Sequence, residues 1–330
     1  MSFKNKLKAA KRTVKTISAK KFGSMDYQAE RKLAELKKFD PIRIFAKKLD
    51  VKIQNDAHEV PARIFFASEE QQKAGLSAYA GGVLLFLHGG GWVTESVDTY
   101  ERICSEMAET TGDPVLAVEY RRAPEDRFPT ALLDCYAAAK ALYTGELLPA
   151  VKPGQITLIG DSAGGNLAAA LCLMARDRGE FMPERLVLVY PALWNDYSEQ
   201  SPYASVRENG TGYILTSEKM REYLDLYQRT PADRENPYFA PLLEKNLSGF
   251  PGTLVLTAEL DPLRDEGEDF AAKLAAAGNE VSMHRIEKAQ HGFFALGFKQ
   301  NHVAESLTYI VEFLKKTEAQ AEGAPAEEHA

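Results

Sequence analysis

The stretch that decides the fold is Gln155-Ile156-Thr157-Leu158-Ile159-Gly160-Asp161-Ser162-Ala163-Gly164-Gly165-Asn166. An apolar run, Ile156 to Ile159, stops at Gly160. Beyond Ser162, small residues lead into Leu167-Ala168-Ala169-Ala170-Leu171, which reads as helix. Strand, tight turn and helix in that order are the setting in which G-x-S-x-G presents a serine sharply. The bend forces strained dihedrals on the serine, and side chains at the flanking glycines would clash in so tight a turn. The five-residue pattern also occurs in plain turns, so its weight rests on the chain around it.

Upstream, Val83-Leu84-Leu85-Phe86-Leu87 is apolar throughout, the mark of a central strand covered on both faces. It runs into His88-Gly89-Gly90-Gly91-Trp92. Residues 97 to 112 read as helix, Val115 to Tyr120 as another buried strand, and Ala131 to Tyr143 as helix. Downstream, Leu186 to Tyr190 is a strand stopped by Pro191. Thr253 to Thr257 and Val281 to Ile286 are two more, with a helix from Asp265 to Ala277 between them that ends at Gly278. Val303 to Lys315 closes the series as a helix. Val51 to Ile53 and Val60 to Phe66 suit an edge hairpin, and Glu69 to Gly75 a polar connection. Apolar strands separated by helix-length segments predict an α/β protein with a mostly parallel sheet and helices on both faces.

The rhythm breaks between 192 and 250. Two aromatic-rich polar stretches flank one helix, Glu218 to Tyr227, entered from Thr216-Ser217 as cap residues. A helical lid inserted into the core accounts for this. The expected organisation is N-terminal cap helices over 1–42, core over 43–191, cap insertion over 192–250, core again over 251–316, and a disordered acidic tail over 317–330.

Composition bounds the rest. A chain of 330 residues fits one α/β core with a lid, and 45% hydrophobic with 26% charged residues is ordinary for a globular protein. A net charge of -7 offers no general basic surface to nucleic acid. Cys104, Cys135 and Cys172 are odd in number, widely spaced and without C-x-x-C, which suits buried thiols in a reducing compartment. No apolar run is long enough to span a bilayer, so the expected location is cytoplasmic. Residues 1 to 21 carry eight Lys and Arg and no acid, with Phe3, Leu7, Ala10, Val14 and Ile17 spaced three and four apart. Such an amphipathic helix either covers the protein's own apolar surface or touches anionic membrane, and both readings stay open. A second helix is expected over Tyr27 to Lys38, before Pro41. An exposed last strand, 281 to 286, would allow a homodimer.

Ser162 needs a base, because an isolated hydroxyl is a poor nucleophile near neutral pH. Of the six histidines, His329 lies in the tail, His302 opens a helix and His284 sits inside a strand. His88 precedes the glycines and reads as locking their loop. His291 follows the last strand in an irregular segment, Ala289 to Phe293, where a functional side chain can face a site. The acid is Asp261, just past the end of a buried strand. Asp265, which opens a helix, and Glu259 remain alternatives. Ser162, Asp261 and His291 stand in the chain order of an α/β-hydrolase triad. Gly89, Gly90 and Gly91 leave their N–H groups open at a strand end, and that of Ala163 completes an oxyanion hole, each donor worth about 3 kcal/mol. Neither glycine segment is followed by Lys-Ser or Lys-Thr, and H-E-x-x-H is absent, so neither cofactor nor metal is expected.

These motifs together resemble the hormone-sensitive-lipase-like family of α/β-hydrolases, the bacterial family IV esterases. The resemblance rests on His88-Gly89-Gly90-Gly91-Trp92, Gly160-Asp161-Ser162-Ala163-Gly164, Asp261-Pro262-Leu263-Arg264-Asp265 and His291-Gly292-Phe293. Tyr120-Arg121-Arg122-Ala123-Pro124-Glu125 matches the family's Tyr-Arg-Leu-Ala-Pro-Glu except that Arg122 replaces leucine, and a charged residue there could reach toward the cap or Glu125. It implies Ser162 as nucleophile, His291 as base and then acid, and Asp261 as its orienting partner. Gly90, Gly91 and Ala163 would donate to the oxyanion, with Gly89 shaping the loop. It also implies a cap built from the N-terminal residues and the insertion, and small esters of short to medium acyl chains as substrates. Trp92 and Asp161 are candidates for the substrate pocket, Trp92 fitting a core role equally well.

Overall fold

The computed structural model describes residues 26–36, 47–56, 58–75, 79–296 and 301–323. The basic segment 1–21 lies outside them. In chain order the elements are α1 (Tyr27–Leu36), β1 (Lys48–Asn55), β2 (His58–Phe65), α2 (Glu69–Ala74), β3 (Val83–Leu87), α3 (Val97–Thr111), β4 (Val115–Val118) and α4 (Thr130–Tyr143). There follow β5 (Ile156–Asp161), α5 (Ala163–Arg178), β6 (Arg185–Val189), α6 (Ser205–Glu208), α7 (Ser217–Tyr227), β7 (Gly252–Leu260), α8 (Arg264–Ala276), β8 (Val281–Gln290) and α9 (Asn301–Gly323).

All eight strands form one sheet in the order β1-β2-β4-β3-β5-β6-β7-β8. The β1·β2 and β2·β4 pairs are antiparallel and every other pair is parallel. The sheet is apolar on both faces because helices cover both. Along β3, Val83, Leu85 and Leu87 join the core shared with α4, α5 and α8. Leu84 and Phe86 point the opposite way, into the core shared with α3 and α9. β5 lies between β3 and β6, so the turn that ends it stands over the middle of the sheet. No described helix is long and apolar enough to cross a membrane.

The structure departs from the sequence reading in three places. Glu69 to Ala74 is a short helix, its N-cap Ser68 accepting the N–H of Gln71 at 3.1 Å. It buries nothing, so no apolar period betrays it. β8 runs on to Gln290, so His291 follows a strand end directly rather than sitting in an irregular segment. The polar run Glu287-Lys288-Ala289-Gln290 hides this extension, and Lys288, at φ 57°, sits where the ladder with β7 is interrupted. Finally, α9 continues past Lys315 to Gly323, into the span expected to be disordered. Alanine, glutamate and glutamine are good helix formers, and no glycine or proline intervenes before Gly323. Residues from 324 on, the remainder of that expected tail, lie outside the described residues.

The stretch between β6 and β7 contains α6, α7 and two short 3₁₀ turns, Pro231–Glu235 and Pro241–Leu243, with no strand among its residues. Thr216 caps α7 as expected, its hydroxyl accepting the N–H of Lys219 at 3.1 Å.

Candidate active site

The turn after β5 puts Ser162 at φ 54° and ψ -119°, a conformation that costs a non-glycine residue roughly 1–3 kcal/mol and persists only where the surroundings enforce it. They do. Its N–H is held by the Val189 carbonyl at 2.9 Å, and its carbonyl accepts the N–H groups of Asn166 at 3.0 Å and Ala192 at 3.1 Å. The flanking glycines are set by close approach. A Cβ on Gly160 would lie 2.2 Å from the Gly164 carbonyl oxygen, and one on Gly164 would lie 1.9 Å from that of Leu87. α5 starts at Ala163, so the serine sits at a helix N-terminus, where negative charge is favoured.

Ser162 Oγ is 2.8 Å from Nε2 of His291, and Nδ1 of His291 is 2.7 Å from Oδ2 of Asp261. An ionised carboxylate only accepts, which assigns the imidazole proton to Nδ1 and leaves Nε2 to take the serine proton. Asp261 is fully buried, and its Oδ1 accepts the N–H of Leu263 at 2.9 Å. The rival acids are engaged elsewhere. Asp265 accepts the N–H of Ser205 at 2.7 Å and pairs with Arg264, and Glu259 accepts the N–H of Lys288 at 2.6 Å.

The three glycines divide. Gly89 donates its N–H to Oδ1 of Asp161 at 2.8 Å, so it shapes the loop and is not free to hold an oxyanion. Among the described residues no acceptor takes the N–H of Gly90, Gly91 or Ala163. His88 locks the loop as read from the sequence. Its Nδ1 is 2.8 Å from the Gly89 carbonyl, and its ring stacks on Tyr120 at 4.2 Å. Burial pushes its basicity down, so it stays neutral.

Above the serine is a cavity of about 310 Å³, with Leu33 of α1, Ile214, Leu215, and Met220 and Tyr223 of α7 among its walls. Trp92 borders it while buried in an aromatic stack, 4.5 Å from Tyr227. Asp161 also borders the cavity, but its carboxylate turns inward to Gly89, Tyr100 and Tyr190, which does not suit a pocket side chain that meets substrate.

Several contributors escaped sequence reasoning. Asn209 donates to the carbonyls of Glu259 and Asp261, both at 3.2 Å, fixing the acid's turn from the insertion. Glu266 is buried and receives the N–H of Leu193 at 2.6 Å and the hydroxyl of Tyr197 at 2.8 Å. Arg31 of α1 makes a two-pronged bond to Glu125 at 2.9 and 2.8 Å and donates to the Val93 carbonyl at 2.7 Å. Arg122 therefore does not reach Glu125. It turns instead to the Glu95 carbonyl and Glu119. The only sequence signal for these was an acid or amide near a motif, which many surface residues share.

A serine at a strand–helix elbow, with histidine and aspartate supplied from the ends of later strands of the same parallel sheet, defines the α/β-hydrolase class. A family model described as alpha/beta hydrolase fold matches residues 84–295. The chain belongs to that family, in its hormone-sensitive-lipase-like branch. It is similar to the ethyl acetate hydrolase of Pseudomonas putida, 36% identical over 262 residues that cover 79% of this chain and 80% of that one. It is 33% identical to the arylesterase of Saccharolobus solfataricus over 247 residues, 74% of this chain and 76% of that one. Among solved structures, a hyperthermophilic esterase from Pyrobaculum calidifontis superposes with a TM-score of 0.79 at 33% identity, covering 89% of this chain and 94% of that one.

Proposed function

We propose that the chain is a serine carboxylesterase for small esters of short to medium acyl chains, working through an acyl-enzyme. The observation that carries this reading is the unbroken row Ser162–His291–Asp261 beside three N–H groups that no acceptor takes among the described residues. His291 takes the serine proton as Oγ attacks the ester carbonyl. The oxyanion that forms is met by the N–H groups of Gly90, Gly91 and Ala163. The imidazolium, steadied by Asp261, then returns its proton to the departing alcohol. Water activated by the same Nε2 releases the acid in a second pass. Side chains and backbone supply all of this chemistry.

The substrate class follows from the cavity. Its volume lies at the small end of the usual range for ligand sites, about 300–1,000 Å³, and its walls are mainly apolar. The relatives' names, which include an ethyl acetate hydrolase, support small substrates. α1 and the 192–250 insertion form the cap in this reading, since both border the cavity. Three buried free thiols favour a cytoplasmic setting, and the open edge of β8 a homodimer. Contact of the basic residues 1–21 with anionic membrane belongs to a segment outside the described residues.

A chromogenic ester series from acetyl to palmitoyl, with a matching anilide, tests the reading on wild type and Ser162→Ala. The expected result is a maximum at a short or medium chain, weak anilide turnover and loss of activity in the variant. Undiminished activity of Ser162→Ala overturns the mechanism, and a maximum at palmitoyl overturns the substrate class.

A further inference from the structure

The carboxylate of Asp161 takes no part in the scheme above, yet it stands where the three segments that carry the scheme meet. It is 1% exposed. Oδ1 accepts the N–H of Gly89 at 2.8 Å, while Oδ2 accepts the hydroxyls of Tyr100 at 2.8 Å and Tyr190 at 3.2 Å. The Tyr190 oxygen in turn accepts the N–H of Phe294, just past His291, at 3.1 Å. The Tyr190 ring also lies 4.7 Å from the imidazole. Oxyanion loop, elbow and histidine turn are therefore tied through one side chain.

Among the described residues no lysine or arginine pairs with Asp161. The titratable groups that act on it or feel its charge are Tyr100 and Cys104 from α3, Tyr120 beyond β4, Tyr190 beyond β6 and His291 beyond β8. Three hydrogen-bond donors and the nearby His291 support the anion. A Cβ on Gly89 would lie 2.8 Å from both Oδ2 and the Tyr100 hydroxyl, so backbone and carboxylate are already in close contact.

We propose that Asp161, as the anion, is the positioning residue that holds the glycine donors and the His291 turn in register with Ser162, and that its protonation releases them. An ionised carboxylate accepts all three bonds at once. The neutral acid turns one oxygen into a donor, so at least one of the three bonds must break or reverse, a tyrosine hydroxyl then accepting where it had donated. The bonds that remain lose their charge assistance, about half their strength. Burial pushes this carboxyl up to about 6 against the pull of its three donors, so the switch falls within the working range of an esterase assay. The inference rests on the proposed acyl-transfer reading, in which Gly90, Gly91 and Ala163 meet the oxyanion.

The test is the pH dependence of kcat for 4-nitrophenyl acetate in wild type, Asp161→Asn and Tyr100→Phe, with active sites counted by a fluorophosphonate that labels Ser162. In wild type the acid limb should be steeper than in Asp161→Asn by the proton that Asp161 takes up. Asp161→Asn should lose about tenfold or more in plateau kcat, with KM little changed and a limb shallower by that proton. Tyr100→Phe removes one support of the anion, so its limb should move to higher pH while its plateau stays near wild type. This milder variant carries the test if the asparagine protein fails to fold. A residue that only held structure would lower kcat at every pH and leave the limb in place. A labelled wild type with an unmoved Tyr100→Phe limb, or wild-type kcat in Asp161→Asn, overturns the inference alone. A wild type that is not labelled at Ser162 overturns the acyl-transfer reading and this inference with it.

Discussion

At the residue scale, the site depends on backbone that tolerates no side chain. Gly91 sits at φ 59°, and a Cβ there would lie 2.5 Å from the Tyr223 ring. Gly91→Ala should therefore displace one oxyanion donor and lower kcat about 100-fold, the usual cost of losing such a group. Tyr223→Ala in the same chain should restore part of that loss by removing the clash, measured as kcat on a short ester. No recovery in the double variant would show that the φ strain, not the ring, carries the effect. Ser162, Asp261 and His291, which the structure brings together, stood out in the sequence because Ser162 and Asp261 follow apolar strands, His291 was the histidine left in a segment beyond the last one, and their order is distinctive. Asp161 was legible only as a motif letter. Its partners Tyr100 and Tyr190 lie 61 and 29 positions away in the chain, and no local pattern relates them.

At the scale of elements, α1 is joined to the core largely through charge. Among its apolar side chains that the structure describes, only Ala34 is buried. Arg31 spans Glu125 and the Val93 carbonyl, while Glu30 pairs with Lys219 at 2.8 Å and accepts the Tyr223 hydroxyl at 3.1 Å. The Glu125 side chain is 53% exposed, so this pair should add at most about 1 kcal/mol to stability. Its reach to Val93, beside the glycine loop, makes the kinetic effect the larger one. Arg31→Ala should leave the melting temperature nearly unchanged and raise KM several-fold, and high salt should narrow the difference between the two proteins. An equal KM at low salt would mean that α1 docks without this clasp. The helix from Tyr27 was readable, but a helix assignment does not say which acid across the fold its arginine meets.

At the scale of the whole molecule, the pH dependence of stability draws on a buried acid that the proposed reaction does not use, Glu266, as well as on Asp161. Glu266 is fully buried, with a carboxyl pushed up to about 8 by burial and opposed by the bonds from Leu193, Tyr197 and Trp194. The folded state thus keeps a proton that the unfolded chain gives up near its ordinary value of 4.5. Stability from this group is complete below that value and is lost as pH rises through about 8. Asp161 makes the same kind of contribution over a lower window, ending near 6. Between pH 6 and 8 the remaining slope belongs mainly to Glu266. Glu266→Gln keeps an oxygen for its three donors, and its melting temperature should fall less between those pH values than that of wild type. Parallel melting curves would remove Glu266 from the account.

What the chain determined by itself was local. Apolar runs of strand length marked the central strands, helix-length spacers made them parallel, and glycines flanking Ser162 allowed the elbow. Each of these follows from sterics and burial over a few neighbouring residues. The tertiary structure alone decided which side chains meet across the sheet. It gave Gly89 to Asp161, freed Gly90 and Gly91, sent Arg31 rather than Arg122 to Glu125, and extended β8 to the threshold of His291. Such pairings depend on the geometry of segments tens to hundreds of residues apart. Polar side chains that serve them resemble, in sequence, the many that merely face water.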